Sequence, residues 1–249
     1  MTARRRRLSA VMVAIVCCLF AAMPAGAKRM VFGRSVQGRP LVAWSFGSDH
    51  ARRKVLVVGC IHGNECAGLA ITSALRHQPV PRGVQLWLVP EMNPDGTAAD
   101  TRQNADRVDL NRNFPYRWEQ ITDPTYYSGP YPTSEPETRA AMSLIRRLRP
   151  AVTIWYHQHM DLVDMAGGDR AVARRYARIA GLRPTCLTFL SGVATGWSNH
   201  TFPGTTSFVV ELPAGPASAT AKHLRAVRAM ELGQRSGSAT HCDSITPAA

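Results

Sequence analysis

The stretch KVLVVGCIHGNE at residues 54–65 decides how this chain folds. Its first part, Lys54–Ile61, is a nearly unbroken apolar run, which is typical of a strand buried on both faces. His62 and Glu65 follow immediately, and Gly63 allows a tight backbone path between them. Open α/β sheets bind their ligands just beyond the carboxyl ends of the strands. The stretch therefore predicts a buried strand that leads directly into a functional site.

Apolar runs alternate with segments of helical spacing along the rest of the chain. The other predicted strands are Val31–Ser35, Pro40–Phe46, Val84–Pro90, Val152–His157 and Ser207–Glu211, the first two forming a hairpin. The predicted helices are Glu65–His77, Ser134 to about Arg149, Asp169–Ala180 and Ser218–Leu232. The second of these opens with an S-x-x-E capping pattern, and the third stops at Gly181. This alternation predicts a single-domain α/β/α sandwich with a mixed, mostly parallel sheet.

Two more predicted strands end, like the first, in a titratable side chain. VTIWY runs into His157, 92 positions after Glu65, and SFVV runs into Glu211. Such a group beside apolar residues is costly unless it is paired or binds a metal. Two imidazoles and one carboxylate, with a fourth position left to water, form the donor set of a catalytic zinc site. The alternative is that these are unrelated surface residues.

Six motifs resemble, in the same order, those of zinc carboxypeptidases. They are His62-Gly63-Asn64-Glu65, Asn93-Pro94-Asp95-Gly96, Asp109-Leu110-Asn111-Arg112-Asn113-Phe114-Pro115, Ser134-Glu135-Pro136-Glu137-Thr138, Tyr156-His157-Gln158 and Val210-Glu211-Leu212-Pro213. Within that family the chain is most similar to the short bacterial branch of murein peptide amidases, which act on γ-D-glutamyl-diaminopimelate linkages. The similarity extends from about Gly33 to Pro213. It implies a zinc metallocarboxypeptidase-type hydrolase.

The resemblance also implies roles for the residues at the strand ends. His62, Glu65 and His157 correspond to the ligands of one Zn²⁺ ion. Glu211 corresponds to the general base that activates the attacking water. His159, two positions after His157, is a rival ligand, since both would share one face of an extended strand.

Further positions correspond to substrate contacts. Asn111 and Arg112 correspond to the pair that binds the terminal carboxylate of the substrate, for which a planar guanidinium is well suited. Arg102 corresponds to the arginine that polarises the scissile carbonyl. The turn at Asn93–Gly96 is assigned a structural role. The tyrosines at 126, 127 and 131 belong to a loop that is expected to shape the mouth of the site.

One departure from the family concerns a loop tyrosine that the larger carboxypeptidases carry before the base. The stretch Ser191–Ser207 has no tyrosine. Trp197, Asn199 and His200 are its candidates for contacting substrate. We take His200 as a substrate-binding residue and as a hypothetical replacement proton donor.

The N-terminal segment, residues 1–27, is predicted to be a secretory signal. The catalytic domain is predicted to span residues 28–249. Arg4–Arg7 precede an apolar stretch at Leu8–Met23 and a small-residue cleavage site that ends at Ala27. The apolar stretch is shorter than the ~20 residues needed to span a bilayer. An uncleaved anchor is the alternative, and Arg5-Arg6-Arg7-Leu8 loosely matches a twin-arginine signal. We expect export to the periplasm, the wall or the medium.

The chain is strongly basic, with 30 Lys+Arg against 17 Asp+Glu and a net charge of +13. Cleavage removes four arginines and no acid, which leaves +9. No basic helix or aromatic-basic platform is present, so nucleic acid is not an expected partner. We expect a monomer that contacts anionic wall or membrane surfaces peripherally. The tail beyond about residue 233 is expected to be flexible.

Four cysteines remain after cleavage: Cys60, Cys66, Cys186 and Cys242. An even number in an oxidising compartment permits two disulfides. Three pairings are open, and Cys60–Cys66 with Cys186–Cys242 is one of them.

Taken together, these features predict an exported zinc hydrolase that cuts an amide bond next to a free carboxylate in murein peptides. A general metallocarboxypeptidase and a deacylase of N-acyl amino acids are the alternative enzymes. A catalytically inactive wall-binding module is the alternative from another class.

Overall fold

The computed structural model describes residues 27–187, 190–217, 220–233 and 244–245. The strands are β1 (Lys28–Arg34), β2 (Pro40–Gly47), β3 (Arg53–Val58), β4 (Val84–Val89), β5 (Val152–Asp164), β6 (Arg183–Leu187), β7 (Thr206–Pro213) and β8 (Ser244–Ile245). The helices are α1 (Gly68–Leu75), α2 (Pro94–Ala99), α3 (Pro136–Leu148), α4 (Arg170–Ala180), α5 (Ala194–Thr201) and α6 (Thr220–Leu232). A single 3-10 turn spans Leu110–Arg112.

These strands form one mixed sheet. β1 and β2 form an antiparallel hairpin, and β2 pairs antiparallel with β4. β3 pairs in parallel with β4 and β5, and β6 pairs in parallel with β8 and with the last residues of β5. The predicted hairpin and the predicted mixed, mostly parallel sheet are confirmed.

Strand β5 pairs with both edges of β7. Its first arm, Val152–His157, runs in parallel register with Thr206–Glu211. After Met160 the chain runs back along β7 in the opposite direction. This second arm pairs antiparallel with β7, and Leu162 therefore also lies beside Glu211. The sequence predicted that β5 ends at His157, which was wrong because the strand continues to Asp164 along the other edge of β7. Glu211 therefore lies between the two arms of one strand.

Helices cover both faces of the sheet, because side chains of the central strands alternate between two cores. On β3, Val55 and Val57 face one core, and Leu56 and Val58 face the other. Apolar residues of α1, α4 and α6 complete the first core, and those of α3 and α5 complete the second. This arrangement confirms the predicted α/β/α sandwich.

The helix boundaries differ from the prediction at two points. α1 begins at Gly68 rather than Glu65, because the residues before it form the turn that carries Glu65, and it ends at Leu75 rather than His77. α3 exists as predicted, but Ser134 does not cap it. Its cap residue is Glu135, and the Ser134 hydroxyl donates instead to the Glu135 carboxylate. The predicted end of α4 is confirmed, with Gly181 in the left-handed conformation.

Several predictions fall wholly or partly outside the described residues. These are the signal segment up to residue 26, Ser218 at the start of the last helix, and most of the tail beyond 233. Within that tail, Ser244 and Ile245 form β8 and pair in parallel with Cys186 and Leu187 of β6. In the described ranges, no helix combines the length and apolarity that crossing a bilayer requires.

Candidate active site

Three side chains from two distant parts of the chain converge at the carboxyl edge of the sheet. His62 and Glu65 follow β3, and His157 ends the first arm of β5. The Nδ1 atoms of His62 and His157 lie 2.8 Å and 3.1 Å from the same Oε2 atom of Glu65. The three ligand atoms all lie within 4.8 Å of one another. We call His62, Glu65 and His157 the triad; the rival His159 is exposed and lies outside it.

The turn between the first two members of the triad is held tightly in place. Cys60 and Cys66 form a disulfide around it, which is one of the pairings that the sequence left open. A Cβ at Gly63 would lie 2.0 Å from the backbone carbon of Gly96, so only glycine permits this approach of the turn to α2. Cys186 is also disulfide-bonded, and Cys242, which one of the open pairings joins to it, lies outside the described residues.

Asp109 and Arg102 brace the triad from behind. Oδ1 of Asp109 lies 3.0 Å from Nε2 of His62, the ring nitrogen that faces away from Glu65. Arg102 donates to Oδ2 of Asp109 from Nε at 3.0 Å and from Nη2 at 2.9 Å. Its Nη1 donates to Oε1 of Glu65 at 2.6 Å. Arg102 is thus in direct contact with a predicted ligand, and its role at the scissile carbonyl stays a prediction.

These contacts favour the ionised forms of Glu65 and Asp109. Burial raises the pKa of Glu65, but hydrogen bonds from both imidazoles outweigh burial and hold that pKa well below its ordinary value. Burial likewise opposes ionisation of Asp109, and the charges of His62 and Arg102 reverse the effect and lower its pKa. Burial lowers the pKa of His62, yet the Asp109 carboxylate outweighs this and leaves the pKa above the ordinary value.

Glu211 lies next to the triad, on β7, in register with His157. Burial raises the pKa of its carboxyl group above the ordinary value, and the His157 charge only partly offsets this. Among the described residues, its buried Oε2 has no hydrogen-bond partner. Glu211 therefore presents a free acceptor at the position that the sequence predicted for the general base.

The predicted carboxylate-binding pair lies on the 3-10 turn at Leu110–Arg112, and both side chains are buried. Oδ1 of Asn111 accepts a hydrogen bond from the backbone N–H of Ala194 at 3.0 Å. Arg112 donates Nη1 to the backbone oxygen of Asn111 at 2.8 Å. Gly192, at φ +64°, packs so closely that a Cβ would lie 2.1 Å from the Arg112 oxygen. The turn is therefore fixed by backbone contacts, and its substrate role stays a prediction.

Tyr126 lies over both arginines of the site. Its ring centroid is 5.2 Å from the guanidinium carbon of Arg102 and 5.4 Å from that of Arg112. The ring is 44% exposed. The sequence assigned the tyrosines of this loop only a general place at the mouth, and the geometry singles out Tyr126 as a cation–π partner of both guanidinium groups.

The Gly-rich stretch before β7 is a helix, α5, rather than the loop that its composition suggests. Trp197 is buried in the second core, 5.7 Å from the ring of Phe114, so the expectation that it contacts substrate was wrong. Asn199 exchanges two hydrogen bonds of 2.8 Å with the backbone of Ser207. Both residues fasten α5 to the fold.

His200 lies in the last turn of α5 and stacks on the ring of Tyr116. The two ring centroids are 4.1 Å apart, with an angle of 19° between the planes. Its predicted role in substrate binding stays a prediction.

The Asn93–Gly96 motif has the structural role that we assigned to it. Oδ1 of Asn93 accepts from the backbone N–H of Gly96 at 2.9 Å and caps α2. Asp95 is buried and accepts hydrogen bonds from Ser35 and Gln37 of the N-terminal hairpin, both at 2.9 Å.

The donor set of the triad fits a zinc ion. Two imidazole nitrogens and one carboxylate oxygen face a common point, which is the composition of a catalytic zinc site. The carboxylate behind His62 fixes the orientation and tautomer of that ring, as is usual for a metal ligand. The buried Oε2 of Glu211, for which the described part of the chain offers no hydrogen-bond partner, leaves an acceptor next to the triad.

Residues 17–181 match the family model described as zinc carboxypeptidase, Peptidase_M14. The chain belongs to the zinc carboxypeptidase family. Membership confirms the family that the sequence motifs indicated, and with it a metallohydrolase class and zinc as the cofactor.

Among the relatives of this family member are two bacterial amidases. Murein peptide amidase A of Escherichia coli K12 is 33% identical over 156 residues, which cover 57% of this chain and 63% of that protein. Murein peptide amidase A of Vibrio campbellii is 34% identical over 147 residues, which cover 53% and 58%. The chain thus matches about three fifths of the length of these relatives.

Solved structures share the fold. Murein-tripeptide amidase MpaA from Escherichia coli O157 superposes with a TM-score of 0.68 at 25% identity, covering 86% of this chain and 95% of that one. Carboxypeptidase A from Helicoverpa armigera gives 0.71 at 18% identity, covering 81% and 67%. The predicted fold class is confirmed.

Sequence reasoning missed Asp109 as part of the site, although it opens the D-x-N-R motif. A usable signal was present, because a ligating histidine nearly always donates its second nitrogen to a carboxylate or carbonyl. The 47 positions between His62 and Asp109 hid the pairing until the fold brought them together.

Proposed function

We propose that this protein is exported and hydrolyses an amide bond next to a free carboxylate in murein peptides. One observation carries the catalytic part of the proposal. The triad converges on one point, and the free Oε2 of Glu211 lies beside it in register with His157. The family membership and the murein peptide amidases among the relatives support the substrate class.

The chain supplies distinct groups for binding and for proton transfer. Arg112 and Asn111 would hold the free carboxylate of the substrate, since a planar guanidinium offers paired donors to it. When bound, zinc supplies Lewis-acid polarisation of the scissile carbonyl. Glu211 would take a proton from the attacking water at Oε2 and pass it to the leaving amine. The guanidinium of Arg102 would stabilise negative charge that develops on the carbonyl oxygen.

Three features support export. The first 27 residues have the order of a secretory signal, and β1 begins at Lys28, directly after the predicted cleavage point. The disulfide between Cys60 and Cys66 suits an oxidising compartment. The basic mature chain suits an anionic cell wall. Mass spectrometry of the protein recovered from culture fractions should give an N-terminus at Lys28, whereas an intact Met1 would contradict cleavage.

A digest of purified wall peptides with the mature protein, read by mass spectrometry, tests the chemistry. We expect cleavage at the γ-D-glutamyl-diaminopimelate bond. Glu211→Gln should retain one zinc ion and lose about 10²–10⁴-fold in kcat, because the proton acceptor is gone. Glu119→Gln, an exposed position, is the matched control and should leave kcat unchanged.

The alternatives give different results in the same assay. A general carboxypeptidase would release C-terminal residues from ordinary peptides, and a deacylase would cut N-acyl amino acids. A wall-binding module would cut nothing, and the Glu211→Gln protein would bind wall peptides as well as the wild type does. Full activity of the Glu211→Gln protein would refute the assigned base.

A further inference from the structure

A cleft of about 730 Å³ opens at the amino-terminal ends of the parallel strands. Its wall includes Val152 and Thr206, the first residues of β5 and β7. His157 lies five residues further along β5, roughly 17 Å away at about 3.3 Å per strand residue. The cleft therefore lies at the opposite edge of the sheet from the triad.

Four arginines line this cleft, which we call the basic cleft: Arg53, Arg174, Arg175 and Arg178. Asp169 is the acidic residue of the lining, and its carboxylate is already used to cap α4. Across residues 27–187, 190–217, 220–233 and 244–245, none of the four guanidinium groups forms an ion pair with a carboxylate. The positive charge of the cleft is therefore not balanced by acidic side chains of the described part of the chain.

Two of these arginines are held side by side by backbone oxygens. Arg53 donates to the Met230 oxygen from Nε at 3.1 Å and from Nη2 at 2.7 Å. Arg175 donates to the oxygens of Ala229 at 3.2 Å and Gly233 at 3.4 Å. The carbonyls at a helix C-terminus carry partial negative charge, so α6 holds both cations in place. Burial lowers the pKa of Arg53, and the nearby charge of Arg175 lowers it further.

The other two arginines lie one turn apart on α4, so Arg174 and Arg178 share a face of the helix. Nε of Arg174 is buried and has no hydrogen-bond partner among the described residues. A buried donor without a partner is destabilising, because it has lost its hydrogen bonds to water. Because Arg174 lines the cleft, this unpartnered donor favours an acceptor placed beside its guanidinium group.

We propose that the basic cleft binds phosphate groups of an anionic ligand. A planar guanidinium matches the oxygens of a phosphate with paired hydrogen bonds, and adjacent arginines suit a group with more than one negative charge. The volume of the cleft is that of a site for a small organic molecule, so the ligand is expected to be an organic molecule that carries the phosphate groups. A soluble phosphate ester and a phospholipid head group both offer this chemistry. The inference does not depend on the hydrolytic function proposed above.

Isothermal titration with pyrophosphate tests the cleft on the full mature chain. The tail must be kept in the protein that is titrated, because it directly follows Gly233 in the cleft wall. Residues 234–243 of this tail lie outside the described part. We expect saturable binding. Arg174→Gln/Arg178→Gln should weaken it about 10-fold or more, because two guanidinium groups lose their hydrogen bonds to a charged ligand.

A control variant separates the cleft from general charge. Arg82→Gln/Arg225→Gln removes two positive charges from exposed positions outside the cleft and should keep wild-type affinity. Arg174→Lys/Arg178→Lys keeps both charges without the planar fork and should recover part of the binding. Thermal melts of each variant check folding, and zinc content and hydrolysis should be unchanged in all three.

Co-sedimentation with vesicles distinguishes the two sources of phosphate. Vesicles of equal parts phosphatidylglycerol and phosphatidylcholine are compared with phosphatidylcholine alone. If the wild type binds the phosphatidylglycerol vesicles and Arg174→Gln/Arg178→Gln does not, the ligand is a lipid head group. If the wild type binds pyrophosphate but not the vesicles, the ligand is a soluble phosphate ester. The proposal is overturned if neither probe binds saturably, or if the control variant loses as much affinity as the cleft variant.

Discussion

At the scale of single residues, Asp109 sets the direction in which His62 faces the triad. It accepts from the ring nitrogen that points away from Glu65 and also receives two bonds from Arg102. Loss of such a partner typically costs 10–100-fold in metal affinity. We expect Asp109→Asn to weaken zinc binding by about that factor, measured by competition with a chromophoric chelator. Asp106→Asn, an exposed position on the same loop, is the control, and equal losses in both variants would refute the role of Asp109.

Tyr126 is the second residue whose position suggests a role in orienting the arginines of the site. Its ring covers the guanidinium groups of Arg102 and Arg112, and each cation–π contact contributes about 0.5–2 kcal/mol. We expect Tyr126→Ala to raise KM about 3- to 10-fold with little change in kcat, because the arginines lose a surface that orients them. Tyr126→Phe should behave like the wild type. A fall in kcat for Tyr126→Phe would contradict this, since it would indicate proton transfer by the hydroxyl.

A matched control for this experiment lies on the same loop. Tyr131 is 58% exposed, and no cation–π contact places it over the arginines of the site. Tyr131→Ala should leave both kinetic constants unchanged.

At the scale of elements, the turn between β3 and α1 carries two members of the triad inside a short disulfide loop. Cys60 and Cys66 are six positions apart in sequence. Closing a loop of this size contributes about 2 kcal/mol to the free energy of unfolding in the chain-entropy model. We expect Cys60→Ala/Cys66→Ala to lose about that much stability and to bind zinc more weakly, because the turn is no longer constrained. Thermal melts and zinc titrations measure both effects, and unchanged values in both would show that packing alone holds the turn.

Elements with a local signal were predictable from sequence, and those set by distant contacts were not. β3 is buried on both faces, and its apolar run alone predicts a strand. α4 begins at the capping residue Asp169 and ends at Gly181, so its own sequence predicts its bounds. α5 lies in a stretch whose glycines suggest a loop, yet burial of Trp197 stabilises a helix there. The return of β5 along β7 depends on a strand more than forty residues later, which no local pattern records.

The same distinction applies to the site. Each member of the triad lies in or just after a short motif that follows an apolar run, so the sequence could identify all three. The contact of Arg102 with Glu65 and the position of Tyr126 depend on loops whose course is set by tertiary packing. Residue types could therefore be predicted, and their mutual orientation could not.

At the scale of the whole molecule, His223 of α6 couples global stability to pH. It is 2% exposed, and burial lowers its pKa from 6.5 to about 4, with the Lys222 charge acting in the same direction and Asp161 opposing it. Above pH 6.5 the ring is neutral in both the folded and unfolded states. As the pH falls from about 6.5 to about 4, only the unfolded chain takes up the proton. The free energy of unfolding should therefore fall by on the order of 3 kcal/mol across this window.

A substitution that cannot titrate tests this coupling. Nδ1 of His223 lies 2.9 Å from the Tyr176 hydroxyl, and the amide of His223→Asn can occupy that place. We expect its urea-unfolding curves to change less between pH 7 and pH 4 than those of the wild type. His77→Asn, at an exposed position, is the control. Parallel pH profiles for the wild type and His223→Asn would assign the acid sensitivity to other groups.

The course of β5 around β7 has a consequence for when this protein becomes active during its synthesis and maturation. All three residues of the triad precede Thr206, the first residue of β7, in the chain. The assigned base, Glu211, is synthesised later as part of β7, which lies between the two arms of β5. A chain cut or halted before that strand carries every ligand but no proton acceptor, and it exposes an unpaired strand edge that favours aggregation. On the proposed assignment of Glu211 as the base, hydrolysis therefore requires a chain that extends through β7.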